Sequence, residues 1–186
     1  WIDSNILNIM YWEKFFELTK NVTGSIVEFG VGRGRSLISI CVIESYYRTL
    51  KSYKKKKIIG LDSFNGFPEP SKEDNSIRKP KKGEWKYSPK KQFKYNKSNI
   101  KKILKNSEIP LDTLNELELV KGYFASTSKK LKVDKIAIMH LDGDLYQSVK
   151  DPLDNLSHKI SLNGIIVIDD YSLKKSKNQE DVWPGA

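Results

Sequence analysis

Five short apolar runs punctuate the chain, and each closes on a glycine or an aspartate: SIVEFG at residues 25–30, IIGLD at 58–62, LELVKG at 117–122, KIAIMHLD at 135–142 and GIIVIDD at 164–170. Nearly unbroken apolar runs of this length read as strands covered on both faces. Helical segments separate them. An amphipathic helix is predicted from Asn5 to Leu18, with Ile6, Ile9, Met10, Phe15, Phe16 and Leu18 at helical spacing and Ser4 or Asn5 as N-cap. Further helices are predicted over SLISICVIESYYRTL, over STSKKLK, and over SVKDPLDNLSHKI with Pro152 near its first turn. Strands that alternate with helices imply an α/β fold, doubly wound, with a mostly parallel sheet between two helical layers.

The 186 residues suit one domain, residues 1–186. Residues 66–110 break the rhythm: four prolines (Pro68, Pro70, Pro80, Pro89), scattered aromatics (Trp85, Tyr87, Phe93, Tyr95) and helical spacing only from about Ser98 to Lys105. Loops of this length inside a domain tend to be lids or binding segments. Between Ser71 and Ser107 there are thirteen Lys or Arg against three acids, so this stretch alone matches the whole chain's formal charge of +10. A basic lid can steer an anionic partner, and it can equally be a solvated loop. The single cysteine, Cys41, lies in SLISICVI, which excludes a disulfide framework and reads as a packed core thiol. No run approaches a membrane span, and WIDSNILNIM has neither a basic leader nor a cleavage site, so a cytoplasmic location is expected. With no initiator methionine and only a polar loop after the fifth run, the sheet is expected to continue with further C-terminal strands.

Three constellations carry chemistry. The first is Glu28-Phe29-Gly30-Val31-Gly32-Arg33-Gly34-Arg35-Ser36, a glycine turn between the first strand and its helix. Such turns bring backbone amides close to a ligand and aim a helix N-terminus at a carboxylate or phosphate. The spacing G-x-G-x-G differs from the dinucleotide fingerprint, which has glycine or alanine where Arg35 stands. The second is Asp62, an acid at the tip of the second strand that can accept both hydroxyls of a ribose. Together they suggest an adenosyl ligand, with Glu28 near its amino group. The third is LDGDLY with VIDDY. If the fourth and fifth strands are neighbours, Asp142 meets Asp169 and Asp170, and a hard divalent cation would relieve their repulsion. Asp144 reads as the cap of the next helix. His140 is either an acid-base group or a core histidine, and His158 a surface residue.

The series E-F-G-V-G-R-G-R-S, G-L-D-S-F-N-G-F-P, K-G-Y-F-x-x-T, H-L-D-G-D-L-Y-x-S and I-V-I-D-D-Y resembles the successive motifs of the macrocin O-methyltransferase (TylF/MycF-type) family, over Val27 to Tyr171. The resemblance implies a Rossmann-like class I methyltransferase that uses S-adenosylmethionine and a magnesium ion or another divalent cation. It implies that Gly30, Val31, Gly32 and Gly34 surround the methionine half, with Ser36 at its carboxylate and Glu28 at its amino group. Asp62, Ser63 and Phe64 would hold the ribose, and Gly122, Tyr123 and Phe124 would border the adenine. Asp142, Asp169 and Asp170 would bind the metal, Asp142 would also accept the hydroxyl proton, and Trp85 would belong to a variable lid. W-P-G-A resembles the start of the family's next helix. Ser126 and Ser128 depart from the family's usual acid and leucine, and Leu145 stands where catechol O-methyltransferase has a lysine base, so a lysine-base mechanism is not supported.

The expected function is transfer of a methyl group to a hydroxyl of a sugar or glycan-type acceptor, which the basic lid allows to be anionic. A homo-oligomer is compatible with this reading. One alternative is a nucleotide-sugar-dependent glycosyltransferase with D-G-D as its metal motif, which leaves Gly30–Gly34 and Asp62 without a role. Another is an RNA methyltransferase using the basic lid. Nucleic acid is the weaker partner, because the amino-methylating N-P-P-Y or D-P-P-Y motif does not follow the fourth strand.

Overall fold

The computed structural model describes residues 2–88 and 90–171, with side chains from residue 6 onward. Pro89 and the W-P-G-A segment lie outside the described residues, and the expected cap at Ser4 or Asn5 is corrected, because the first helix is already formed from Ile2. Five strands form one parallel sheet in the order β3-β2-β1-β4-β5: β1 Ser25–Phe29, β2 Ile58–Asp62, β3 Leu117–Lys121, β4 Ile136–Leu141 and β5 Ile160–Ile168. The order reverses between β1 and β4. In parallel sheets this switch opens a crevice at the carboxyl ends of the strands, where ligands bind. Gly30 and Asp142 are the first residues beyond those two strands.

The helices are α1 Ile2–Thr19, α2 Arg35–Tyr47, α3 Lys97–Lys105, α4 Leu111–Asn115, α5 Phe124–Lys130 and α6 Tyr146–Leu156. On one face of the sheet, Trp12, Phe16, Leu37, Ile40 and Ile100 pack on Ile26, Ile58 and Ile138; on the other, Val149 and Leu156 pack on Val27, Ile59, Leu61 and Met139. Adjacent residues of β1 thus serve opposite cores, as the two-residue period of a strand requires. Cys41 is buried in the first core, where burial and the nearby carboxylates push its thiol up to about 12, in keeping with a packed thiol. Among the described residues, no helix is long and apolar enough to cross a membrane.

Three local expectations are corrected. α1 buries Trp12, Phe16 and Thr19, whereas Ile6, Met10 and Leu18 of the expected apolar face are exposed. The stripe that meets the sheet runs i, i+4, i+7 from Trp12, whose ring packs edge-on against His140. α6 begins at Tyr146, two residues before its expected start, so Pro152 lies in the helix interior. The short helix α4 has no counterpart in the sequence reading.

In the 66–110 segment, a 3-10 turn at Lys72–Asp74 and the helix α3 are formed. Ile100 and Leu104 turn α3 onto the core and leave its lysines outward. The lid is closed at its stem by Phe67 N–H to Glu84 O at 2.9 Å and Gly83 N–H to Phe67 O at 3.0 Å.

Candidate active site

A cavity of about 760 Å³ opens at the carboxyl edge of the sheet, over the β1/β4 switch. Its floor on one side is the glycine turn. Gly30 has φ +103, and a Cβ there would stand 1.8 Å from the Asp142 carbonyl oxygen, so glycine is what lets the β1 and β4 tips meet. Gly32 has φ +51 and open space around it. Asp62 is fixed by this turn: its Oδ2 accepts from Gly32 N–H at 2.7 Å and its Oδ1 from Phe64 N–H at 2.5 Å. Burial raises the Asp62 carboxyl despite these amides. Gly30, Val31, Gly32, Ser36, Asp62, Ser63, Tyr123 and Phe124 all line the cavity.

Gly34, Phe64 and Gly122 do not line it. Gly34 caps α2 beneath Ile100, Phe64 is 2% exposed and packs in the core, and Gly122 donates its N–H to Asp62 O at 2.9 Å. They shape the turns from behind.

Glu28 also departs from expectation. Glu28 and His140 are register partners on β1 and β4, so both point to the same face, under α1. Each is 1% exposed, and Glu28 Oε1 lies 3.2 Å from His140 Nδ1. Neither lines the cavity. Burial alone would lower the imidazole, but the carboxylates of Asp169 and Glu28 outweigh it and raise it to about 9. Burial raises the Glu28 carboxyl.

The acidic half is organised differently from the sequence reading. Carboxylate oxygens of Asp142, Asp144 and Asp170 lie within 4.8 Å of one another. Asp169 instead turns its Oδ1 to 3.9 Å from His140 Nε2, which holds its carboxyl low. Asp144 is not a helix cap: α6 has no side-chain cap at Leu145, and Asp144 adopts φ +59 and places a carboxylate oxygen within 4.8 Å of those of Asp142 and Asp170. Burial, then the neighbouring carboxylates Asp170 and Asp142, raise Asp144 strongly, while Arg78 of the lid opposes them. Burial also pushes Asp142 up to about 7, against the pull of His140. Crowded, partly buried oxygen donors of this kind suit a hard cation such as Mg2+.

Of the remaining walls, the lid was expected from the sequence and the α1 wall was not. Leu7, Asn8, Tyr11 and Trp12 of α1 form one side, and Phe67, Pro68, Trp85 and Tyr95 of the lid the other. Trp85 sits at φ +61 and is half exposed. The cationic lining residues are Arg33 and Arg35, and among the described residues no lysine of the basic segment reaches the cavity.

A doubly wound sheet with a glycine turn, a strand-tip acid and a carboxylate cluster at its switch point defines the Rossmann-like methyltransferase class. Residues 16–181 match the macrocin O-methyltransferase (TylF) family, and the chain belongs to it. It is 28% identical over 159 residues to demethyldecarbamoylnovobiocin O-methyltransferase of Streptomyces niveus, covering 82% of this chain and 55% of that protein. It is 26% identical over 163 residues to 8-demethyl-8-(2,3-dimethoxy-alpha-L-rhamnosyl)-tetracenomycin-C 4'-O-methyltransferase of Streptomyces olivaceus, covering 84% and 56%. The solved structure of the calicheamicin methyltransferase CalS11 has the same fold, with a TM-score of 0.77 at 22% identity over 97% of this chain and 67% of that one. The chain spans about half the length of the curated relatives it matches.

Proposed function

We propose that the protein containing this domain transfers a methyl group from S-adenosylmethionine to a hydroxyl of a sugar-type acceptor, with Mg2+ or another divalent cation at the acidic cluster. The observation that carries the reading is one cavity in which the Asp62-bound glycine turn faces three converging carboxylates. The relatives' names add hydroxyl methylation, in one case of a compound bearing a rhamnosyl group. Family membership sets aside the glycosyltransferase reading of D-G-D.

When bound, the cofactor supplies an electrophilic methyl group and the cation a Lewis acid. Asp62 accepts the ribose hydroxyls, with its own rotation stopped by the Gly32 and Phe64 amides. The Gly30–Gly32 turn and the N-terminus of α2 receive the carboxylate end, and Tyr123 and Phe124 flank the base. Asp142 and Asp170 hold the cation. Asp144 completes the set that the fold brings together, whereas Asp169 completes the set that the family resemblance implies. Asp142, which lines the cavity at the tip of β4 beside the glycine turn, accepts the acceptor's hydroxyl proton. Tyr11, Phe67 and Trp85 wall the acceptor from water and fix its approach.

Titration calorimetry with S-adenosylhomocysteine, then with UDP-glucose, each with and without MgCl2, tests the reading. Saturable binding of the first and none of the second is expected. No binding of S-adenosylhomocysteine to a chain extended to the relatives' length sinks it.

A further inference from the structure

Asp74 sits near the start of the basic segment, yet it is 3% exposed. Its Oδ2 accepts from Ser71 N–H at 2.7 Å and from Ser71 Oγ–H at 2.9 Å, which folds the Lys72–Asp74 turn. Its Oδ1 reaches out of the lid and accepts from Tyr146 N–H at 2.7 Å. Tyr146 is the first residue of α6, where backbone amides have no acceptor within the helix. Helices normally meet this need with a residue just ahead, but Leu145 has no side-chain acceptor and Asp144 does not cap α6, its carboxylate lying in the cluster with Asp142 and Asp170. A carboxylate 72 residues away in sequence therefore caps the helix, and its charge also suits the positive end of the helix dipole.

The position of that amide gives the contact its meaning. Tyr146 follows Asp142-Gly143-Asp144-Leu145 directly, and this loop has little room to move. A Cβ at Gly143 would stand 2.6 Å from the Ser148 Cβ, Leu145 N–H donates to Gly143 O at 2.6 Å, and Asp144 adopts φ +59. Displacing the first turn of α6 thus displaces Asp142 and Asp144. A second lid residue bears on the same loop: the charge of Arg78, which pairs with Glu84 at 2.6 Å, acts on Asp144.

We propose that Asp74 is a positioning residue that latches the lid to the acidic loop, so that the lid's seat over the cavity and the placement of Asp142 and Asp144 are set by one carboxylate. Asp74 touches neither cofactor nor acceptor, and it acts through the Tyr146 amide. The inference rests on the reading of the cavity as a methyltransferase site for its consequence, but the latch itself is measurable without that reading.

The test is amide hydrogen exchange on the whole chain and on three variants: Asp74→Ala, Asp74→Asn and Ser71→Ala. In Asp74→Ala, exchange at Tyr146 and across lid residues 66–85 rises together by tenfold or more, while β1 and β2 keep their protection. Asp74→Asn keeps an oxygen for the Tyr146 N–H, so exchange at Tyr146 stays within about threefold of the parent while the Ser71 turn loosens, a rescue that loss of burial alone does not give. Ser71→Ala loosens the turn and leaves Tyr146 protected. Calorimetry with S-adenosylhomocysteine runs beside it on chains extended to the relatives' length: an unchanged affinity in Asp74→Ala shows an intact glycine turn, and no binding to the extended parent condemns the functional reading without touching the latch. The proposal is overturned if the lid opens in Asp74→Ala with Tyr146 still protected, or if Asp74→Asn exposes Tyr146 as fully as alanine does.

Discussion

Replacing Gly30 by alanine separates two reasons for a glycine at a ligand turn. Its φ of +103 lies where side chains are strained, and its Cβ would overlap the Asp142 carbonyl oxygen at 1.8 Å and the carbonyl carbon at 2.7 Å. Strained backbone of this kind costs about 1–3 kcal/mol. Forcing atoms into a packed site costs about another 1–3 kcal/mol. The overlap falls on backbone, so no side chain can swing aside. Relief requires the β1 tip to move from β4, stretching Asp142 N–H to Phe29 O at 2.9 Å or Gly30 N–H to Leu61 O at 2.9 Å. Gly32→Ala is the control two residues on. Its φ of +51 is the ordinary left-handed region and nothing lies within 4 Å of the added Cβ, so only about 1–2 kcal/mol is at stake.

Urea unfolding of both variants, followed by tryptophan fluorescence, should place Gly30→Ala about 2 kcal/mol or more below Gly32→Ala at matched slopes. Gly30→Ala should also weaken Mn2+ binding, because the shift is transmitted to Asp142. Equal midpoints for the two variants, or a milder effect at Gly30, would refute the view that the first glycine exists for the β1–β4 contact.

At the opposite edge of the sheet, Glu44 is fully buried and accepts from Arg48 Nε at 3.0 Å, from Lys56 N–H at 2.8 Å and from the Tyr53 hydroxyl. Glu44→Ala should cost about 3–5 kcal/mol in urea unfolding, because it removes the buried carboxylate that pairs with Arg48 and accepts from Lys56 N–H and Tyr53, yet leave S-adenosylhomocysteine affinity unchanged in the folded fraction. Calorimetry with MnCl2 on Asp144→Asn and Asp169→Asn decides the third carboxylate: a tenfold loss is expected at Asp144, and a loss confined to Asp169 restores the set implied by the family resemblance. Stability of the metal-free chain should fall as pH rises from about 4 to 9. Asp142 has a folded value of about 7, above an unfolded value near 4, so it favours folding while protonated and loses that advantage as pH climbs through 7. His140, raised to about 9, contributes stability that is whole below about 6.5 and gone above 9, so the signs agree. The thermal shift produced by MgCl2 should therefore be larger at pH 8 than at pH 6, and a shift that is equal or larger at pH 6 would contradict the carboxylate site.

The sheet was legible because a parallel sheet buries both faces of each strand, and IVEF, IIGL and IAIMHL record that burial directly. The punctuation that follows each run marked the carboxyl edge, so Gly30, Asp62 and Asp142 could be placed at one crevice from the sequence alone. Side-chain direction at that edge was not legible. Glu28 sits two residues before Gly30 and looked like a ligand contact, but the two-residue period that puts Val27 and Phe29 on one core turns Glu28 to the other face, where its register partner is His140. The same histidine then draws Asp169 away from its neighbours and leaves Asp170 with Asp142 and Asp144. A local reading assigned Asp144 to the cap of α6 because it is the nearest acid to that helix. The fold assigns the cap to Asp74, which no spacing rule connects to Tyr146. Capping an amide needs only an acceptor at hydrogen-bond distance, so the sequence shows the need, a helix beginning after Leu145 without its own cap, but not the supplier. Relieved of that task, Asp144 is available to the acidic cluster, and one long-range hydrogen bond therefore ties the seat of the lid to the loop that carries Asp142 and Asp144.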